Sequence, residues 1–201
     1  QDCTNAVAIQ PAYFKGYLRA GRAWYAIGET KRAHAQFHRC IEACRSIATD
    51  AGGQASATKE AENGLRQVKE LEHHKLEALS LLRQANNVRG QNEHRGINRR
   101  RTRPSDVDCR AAKILSVEAL AHTKKAKNIC PIAVWPIVLH AKALIASGEQ
   151  EQYEKAARVC LDEIMRREAD TASMEESSNL NKYFINNIAE LRLLCGRALH
   201  L

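Results

Sequence analysis

The chain echoes itself, and that echo limits the folds open to it more than any single residue does. Cys3-x2-Ala6-x4-Pro11 returns as Thr123-x2-Ala126-x4-Pro131. Stepping forward from Pro11 gives Tyr17, Gly21, Trp24 and Gly28. The same steps from Pro131 give Ile137, Ala141, Leu144 and Gly148. Large, small, large and turn glycine recur in one order. The spacings are helical, and the residues that dominate the chain (Ala, Leu, Glu, Lys, Arg, Gln) lose little rotamer freedom in a helix. With 5% aromatic residues, 10 glycines and 4 prolines, it lacks the turn material of a many-stranded β fold. An all-α chain of paired helices is the expectation.

The first copy carries a fuller pattern. Tyr17-x2-Ala20-Gly21-x2-Trp24 followed by Ala33-x3-Phe37-x2-Cys40 is similar to the tetratricopeptide repeat. The small residues Ala20, Gly21, Ala33 and Cys40 stand where two helices cross closely. Tyr17, Trp24 and Phe37 fill the space between neighbouring helices. Gly28 supplies a left-handed turn that only glycine adopts cheaply. The resemblance implies a helical-hairpin solenoid, an α-α superhelix.

On this reading residues 1–48 hold the end of one repeat and a complete hairpin, with helices over 12–27 and 30–46. A loop at 49–54 leads to a long helix, about 56–87, carrying Leu65, Val68, Leu71, Leu76, Leu79 and Leu82. Residues 89–104 form an arginine-rich insertion loop, and Ser105 or Asp106 caps a helix over about 106–128, closing a divergent repeat that spans 49–128. Residues 129–169 make another hairpin, with helices over 132–147 and 150–168. Residues 170–201 give a Ser/Glu-rich loop and a helix over about 180–200, the first of a further repeat. A solenoid buries each repeat on its neighbours and needs polar caps. Neither end offers one, which suggests a segment of a longer array.

Lys15 and Arg19 are four apart and share one helix face. Lys15-Gly16-Tyr17-Leu18-Arg19 resembles half of the carboxylate clamp of tetratricopeptide co-chaperones. There, a lysine and an arginine at this spacing grip the acidic C-terminal tail Glu-Glu-Val-Asp of heat-shock protein 70 and heat-shock protein 90. A guanidinium can hold a carboxylate bidentately and an ammonium adds a mobile point charge. The order of parts (clamp hairpin, elongated helix, further repeats) resembles tetratricopeptide J-domain proteins of the DnaJ subfamily C, member 7 type. It departs from them at residues 89–104 and in a longer turn after Gly148. No His-Pro-Asp motif occurs, so no J domain lies in this sequence. The implied function is that of a co-chaperone interaction module working in the cytoplasm, with the nucleus as a second compartment. The alternatives are a scaffold for an unrelated complex and a nucleic-acid-associated helical repeat.

The formal charge of +8 is mostly local, because Arg89, Arg95, Arg99, Arg100, Arg101 and Arg103 fall in one stretch. Arg99, Arg100, Arg101 and Arg103 are a candidate basic contact loop. Without interleaved aromatics for base stacking they read better as solvated loop than as an RNA contact. The seven cysteines are odd in number, contain no CxxC pair and sit in apolar helical stripes, which suits reduced, buried thiols. His34-x3-His38-x-Cys40-x3-Cys44 has tempting metal spacing, but Cys40 is needed for packing and the four side chains point to different faces. No metal, cofactor or catalytic residue is therefore expected. No apolar run approaches the roughly 18 residues of a membrane span, and no nucleophile–base pair, phosphate-cradling loop or dinucleotide fingerprint occurs.

Overall fold

A computed structural model describes residues 2–10, 12–46, 53–96, 106–172 and 179–200, and all regular structure among them is helical. The helices are α1 (Asp2–Ile9), α2 (Phe14–Ala26), α3 (Thr30–Ser46), α4 (Gly53–Gly96), α5 (Asp106–Ile129), α6 (Trp135–Ser147), α7 (Gln150–Ala172) and α8 (Asn179–Leu199). The chain divides into two compact units. One is Gln1–His74 with Asn128–Ala133; the other is Lys75–Lys127 with Val134–Leu201. Among the described residues no helix is long and apolar enough to cross a membrane.

In the first unit α1 packs on α2, and α2 pairs with α3. The turn between α2 and α3 works as the sequence suggests. Gly28 takes φ 81°; its N–H donates to the Tyr25 carbonyl at 2.9 Å, and the Glu29 N–H donates to that of Trp24 at 2.9 Å. These two bonds close the helix end as a Schellman motif, which needs a left-handed residue.

The core of this unit gathers Leu18, Ala33, Phe37, Cys40, Ile41 and Cys44 with Ala57, Ala61 and Val68 of α4. Phe37 is its keystone. A Cβ added at Gly21 of α2 would meet the Phe37 ring at 2.7 Å, and one added at Gly64 of α4 would meet it at 2.6 Å. Two helix backbones thus lie directly against one ring, an approach that any larger residue would block.

Helix α4 contributes to both units. Its buried stripe runs Ala57, Ala61, Gly64, Val68, Leu71, His74, Ala78, Leu82 and Ala85, steps of three and four along one face. Leu76, expected on that stripe, falls off it and is 60% exposed. The helix also runs past the expected stop, so residues 89–96 are helical rather than the beginning of a loop. No Pro interrupts Arg89–Gly96, and the Gln, Asn, Glu and His there tolerate helix well enough to continue it. Ser105 and the rest of the insertion lie outside the described residues.

The second unit is built around α6. Its first turn holds Pro136, where a missing N–H costs no intrahelical bond. Ile137, Val138, Leu139, Ala141, Ala143, Leu144, Ile145 and Ala146 are all buried, so neighbours cover it on nearly every side. Ala78, Leu82 and Ala85 of α4 with Ala119 of α5 cover the face of Leu139, Ala143 and Ala146. The opposite face meets Ala156, Ala157, Cys160 and Ile164 of α7 and Ile188, Leu191, Leu194, Cys195 and Ala198 of α8. Each fully enclosed Leu or Ile contributes about 1.5–3 kcal/mol relative to exposure. Gly148, at φ 78°, ends α6 with its N–H on the Ile145 carbonyl. The positions parallel to Tyr17, Gly21 and Trp24, namely Ile137, Ala141 and Leu144, are 2%, 0% and 5% exposed.

Candidate peptide-binding site

Helix α2 separates two kinds of residue. Gly16, Leu18 and Gly21 are buried, and Phe14, Tyr17, Trp24 and Tyr25 pack partly buried against the same core. Lys15, Arg19, Arg22 and Ala23 face solvent. The steps from Lys15 to Arg19 and Arg22 are four and three residues, so the three cations form one row with about 5–6 Å between successive Cβ atoms. Arg22 ion-pairs with Glu60 of α4. Lys15 and Arg19 make no ion pair among the described residues, and both are exposed. Arg32 of α3 lies 4.6 Å from the Trp24 ring centroid, a cation–π contact that holds a further guanidinium against this unit.

The far end of α2 is held by a residue distant in sequence. The Cys130 thiol donates to the carbonyls of Tyr25 and Ala26 at 3.1 Å each, adding to the Gly28 N–H already on Tyr25 and covering a last-turn carbonyl at Ala26. Burial pushes this thiol up from its ordinary range, although a hydrogen bond from the Ala133 backbone opposes the shift. Burial also pushes the Tyr25 phenol up to about 12, with the Cys130 and Glu70 charges adding to it.

The sites named from sequence have different fates. Lys15 and Arg19 stand exposed on α2. Arg99, Arg100, Arg101 and Arg103 lie outside the described residues, and Arg89 and Arg95 lie on α4. The positions of the second hairpin that parallel Lys15 and Arg19 carry Trp135 and Leu139. Leu139 is buried, while Trp135 is partly covered, with the Lys75 ammonium 5.1 Å from its ring centroid. The indole N–H of Trp135 is buried without an acceptor among the described residues.

Of the cysteines, Cys40, Cys44, Cys130, Cys160 and Cys195 are buried, but Cys109 is exposed on α5, against the expectation of a buried thiol. Helix α5 also shows Ile114 and Val117 to solvent. Burial pushes Cys40 and Cys160 up to about 12, each with a neighbouring cysteine adding to the shift. His34 and His38 stack with ring centroids 4.5 Å apart, while Cys40 and Cys44 turn into the core.

Sequence reading missed two polar clusters in the second unit. Arg167 is 1% exposed, and its Nε donates to Glu163 at 2.7 Å; the same carboxylate also takes the Arg166 guanidinium at 2.6 Å. The i, i+4 spacing of Glu163 and Arg167 was a legible signal for the pair, though not for its burial. His140, by contrast, meets Thr123 at 3.0 Å across helices α5 and α6, a contact no local spacing announces. No protein-family model, curated protein or solved structure matches the chain.

Proposed function

We propose that the chain is a protein-interaction module of tetratricopeptide type that binds the acidic C-terminal tail of a heat-shock protein 70 or heat-shock protein 90 chaperone in the cytoplasm. One observation carries the reading: Lys15 and Arg19 are exposed and aligned on the solvent face of α2, with no ion pair among the described residues. Two adjacent cations match the paired carboxylates of a C-terminal aspartate, and each charged hydrogen bond contributes about 1.5–3 kcal/mol. Two helical hairpins with corresponding small, large and turn-glycine positions support the repeat assignment. No catalytic step is part of the proposal, and the module acts by recruitment.

The test titrates a labelled peptide ending in Glu-Glu-Val-Asp against the wild-type chain and against Lys15→Ala/Arg19→Ala, following fluorescence anisotropy. The double variant is expected to bind at least tenfold more weakly, and amidating the peptide's C-terminus should produce a similar loss. Equal affinity for wild type and double variant would exclude the clamp. It would leave a scaffold that recognises its partner elsewhere.

A further inference from the structure

The second unit contains a groove that the Lys15–Arg19 reading does not use. Its volume is about 340 Å³, and Lys124, His140, Leu144, Lys155, Arg158 and Asp162 are among its walls. Helix α5 supplies Leu120 and Lys124, α6 supplies His140 and Leu144, and α7 supplies the rest, including Val159. Along α7 the steps from Lys155 to Arg158 and Val159 and then to Asp162 follow one helix stripe, about 10 Å long at 1.5 Å per residue. That length accepts about three residues of extended peptide.

The floor and rim differ in character. Leu120, Leu144 and Val159 make an apolar floor. At the rim, Lys155 is held by Glu151 at 2.6 Å, whereas Lys124 and Arg158 are exposed and make no ion pair among the described residues. One carboxylate, Asp162, opposes three cations.

His140 fixes the polarity of the floor. The Thr123 hydroxyl donates to the Leu120 carbonyl at 2.9 Å and lies 3.0 Å from Nδ1 of the imidazole. Burial holds the imidazole down at about 4, helped by the Lys124 and Lys127 charges. At neutral pH the ring is uncharged, and the positive charge is confined to the rim.

We infer that this groove docks an acidic peptide segment, with its carboxylates on Lys124 and Arg158 and an apolar side chain on Leu120, Leu144 and Val159. Charge complementarity selects the occupant: two cations with no ion pair among the described residues flank an apolar floor too short for a helix yet long enough for a few extended residues. A nucleic-acid strand fits the groove less well. No Phe, Tyr or Trp side chain lines it for base stacking. The inference is independent of Lys15 and Arg19, which lie in the other unit.

The test uses a fluorescein-labelled peptide, Glu-Asp-Leu-Glu-Asp, acetylated and amidated so that it offers no terminal carboxylate. Binding to the full chain is read by anisotropy and by the ring resonances of His140. The variants are Lys124→Ala/Arg158→Ala and Lys15→Ala/Arg19→Ala, all at exposed positions that leave the core intact. Loss of affinity by about 10–100-fold in the first pair, with no change in the second, is the expected result. Equal loss in both pairs, or none in the first, would overturn it. So would failure of the peptide to saturate at ~1 mM, displacement by an equal concentration of inorganic phosphate, or tighter binding of oligouridylate than of the peptide.

Discussion

Gly64→Ala is the sharpest test of the packing around Phe37. In an unconstrained helix interior this substitution stabilises by about 1 kcal/mol, because alanine loses less backbone entropy than glycine. Here the new methyl would lie 2.6 Å from the ring's Cζ and 2.7–2.8 Å from its Cε atoms, whereas ordinary carbon contacts are about 3.5–4.0 Å. The ring would have to withdraw by most of an ångström. It cannot do so freely, since Phe37 is 2% exposed and its Cδ1 edge already touches the α2 backbone at Gly21. Overpacking of this kind costs about 1–3 kcal/mol, so the net expectation lies between no change and a loss of about 2 kcal/mol, against a gain of about 1 kcal/mol in a free helix.

Gly196→Ala is the control, because it too lies within a helix but has nothing within 4 Å of the new methyl. That substitution should stabilise by about 0.5–1 kcal/mol. The assay is urea unfolding by tryptophan fluorescence in a Trp135→Phe background, where Trp24 reports the first unit, and in a Trp24→Phe background, where Trp135 reports the second. Adding Phe37→Leu should recover part of the Gly64→Ala loss, a coupling read from the double-mutant cycle. If Gly64→Ala stabilised the chain as much as Gly196→Ala does, the close approach of α4 to Phe37 would be refuted.

Two further outcomes concern the second unit. The folded pKa of His140, about 4, lies below its ordinary value of 6.5. The neutral ring therefore contributes stability above pH 6.5 that is lost as pH falls toward 4. Partial screening at this half-buried ring leaves about 1–2 kcal/mol between pH 7 and pH 5. Urea midpoints at the two pH values should show that much less acid sensitivity in His140→Gln than in wild type, and equal sensitivity would contradict the assignment. Arg167→Met removes the buried partner of Glu163 and should cost about 2–4 kcal/mol, the retained Arg166 contact limiting the loss. Arg166→Met, at a side chain 47% exposed, should cost under about 1 kcal/mol in the same unfolding assay.

Local rules carried far in this chain. Gly28 and Gly148 were recognisable as turn glycines because each follows a helix-period run, and both take positive φ. The buried face of α3 was readable from Ala33, Phe37 and Cys40 for the same reason. Gly64 was not, since a glycine within a long polar helix declares no reason until the ring it accommodates is known. The extension of α4 through residues 89–96 was missed because polar, arginine-rich sequence reads as loop when no apolar stripe continues. The groove around His140 draws on α5, α6 and α7, and its walls are brought together by tertiary packing alone. Lys15 and Arg19 were legible as an exposed pair from their spacing, whereas the ion pair that removes Arg22 from the same row required the position of Glu60.

The thiol of Cys130 has a consequence for how the first unit comes into being. That unit is discontinuous: the chain leaves it at His74 and returns only at Asn128. On a ribosome, α2 and α3 emerge and can pair early, with the Tyr25 carbonyl already on the Gly28 N–H, yet the Ala26 carbonyl waits for a thiol 104 residues further on. Closing so long a loop slows assembly more than it weakens the result, because its entropic cost grows only logarithmically with length. Cutting the chain at His74, by protease or by cloning, would keep the Gly28 and Glu29 bonds that close α2 and remove only the thiol from the Ala26 carbonyl.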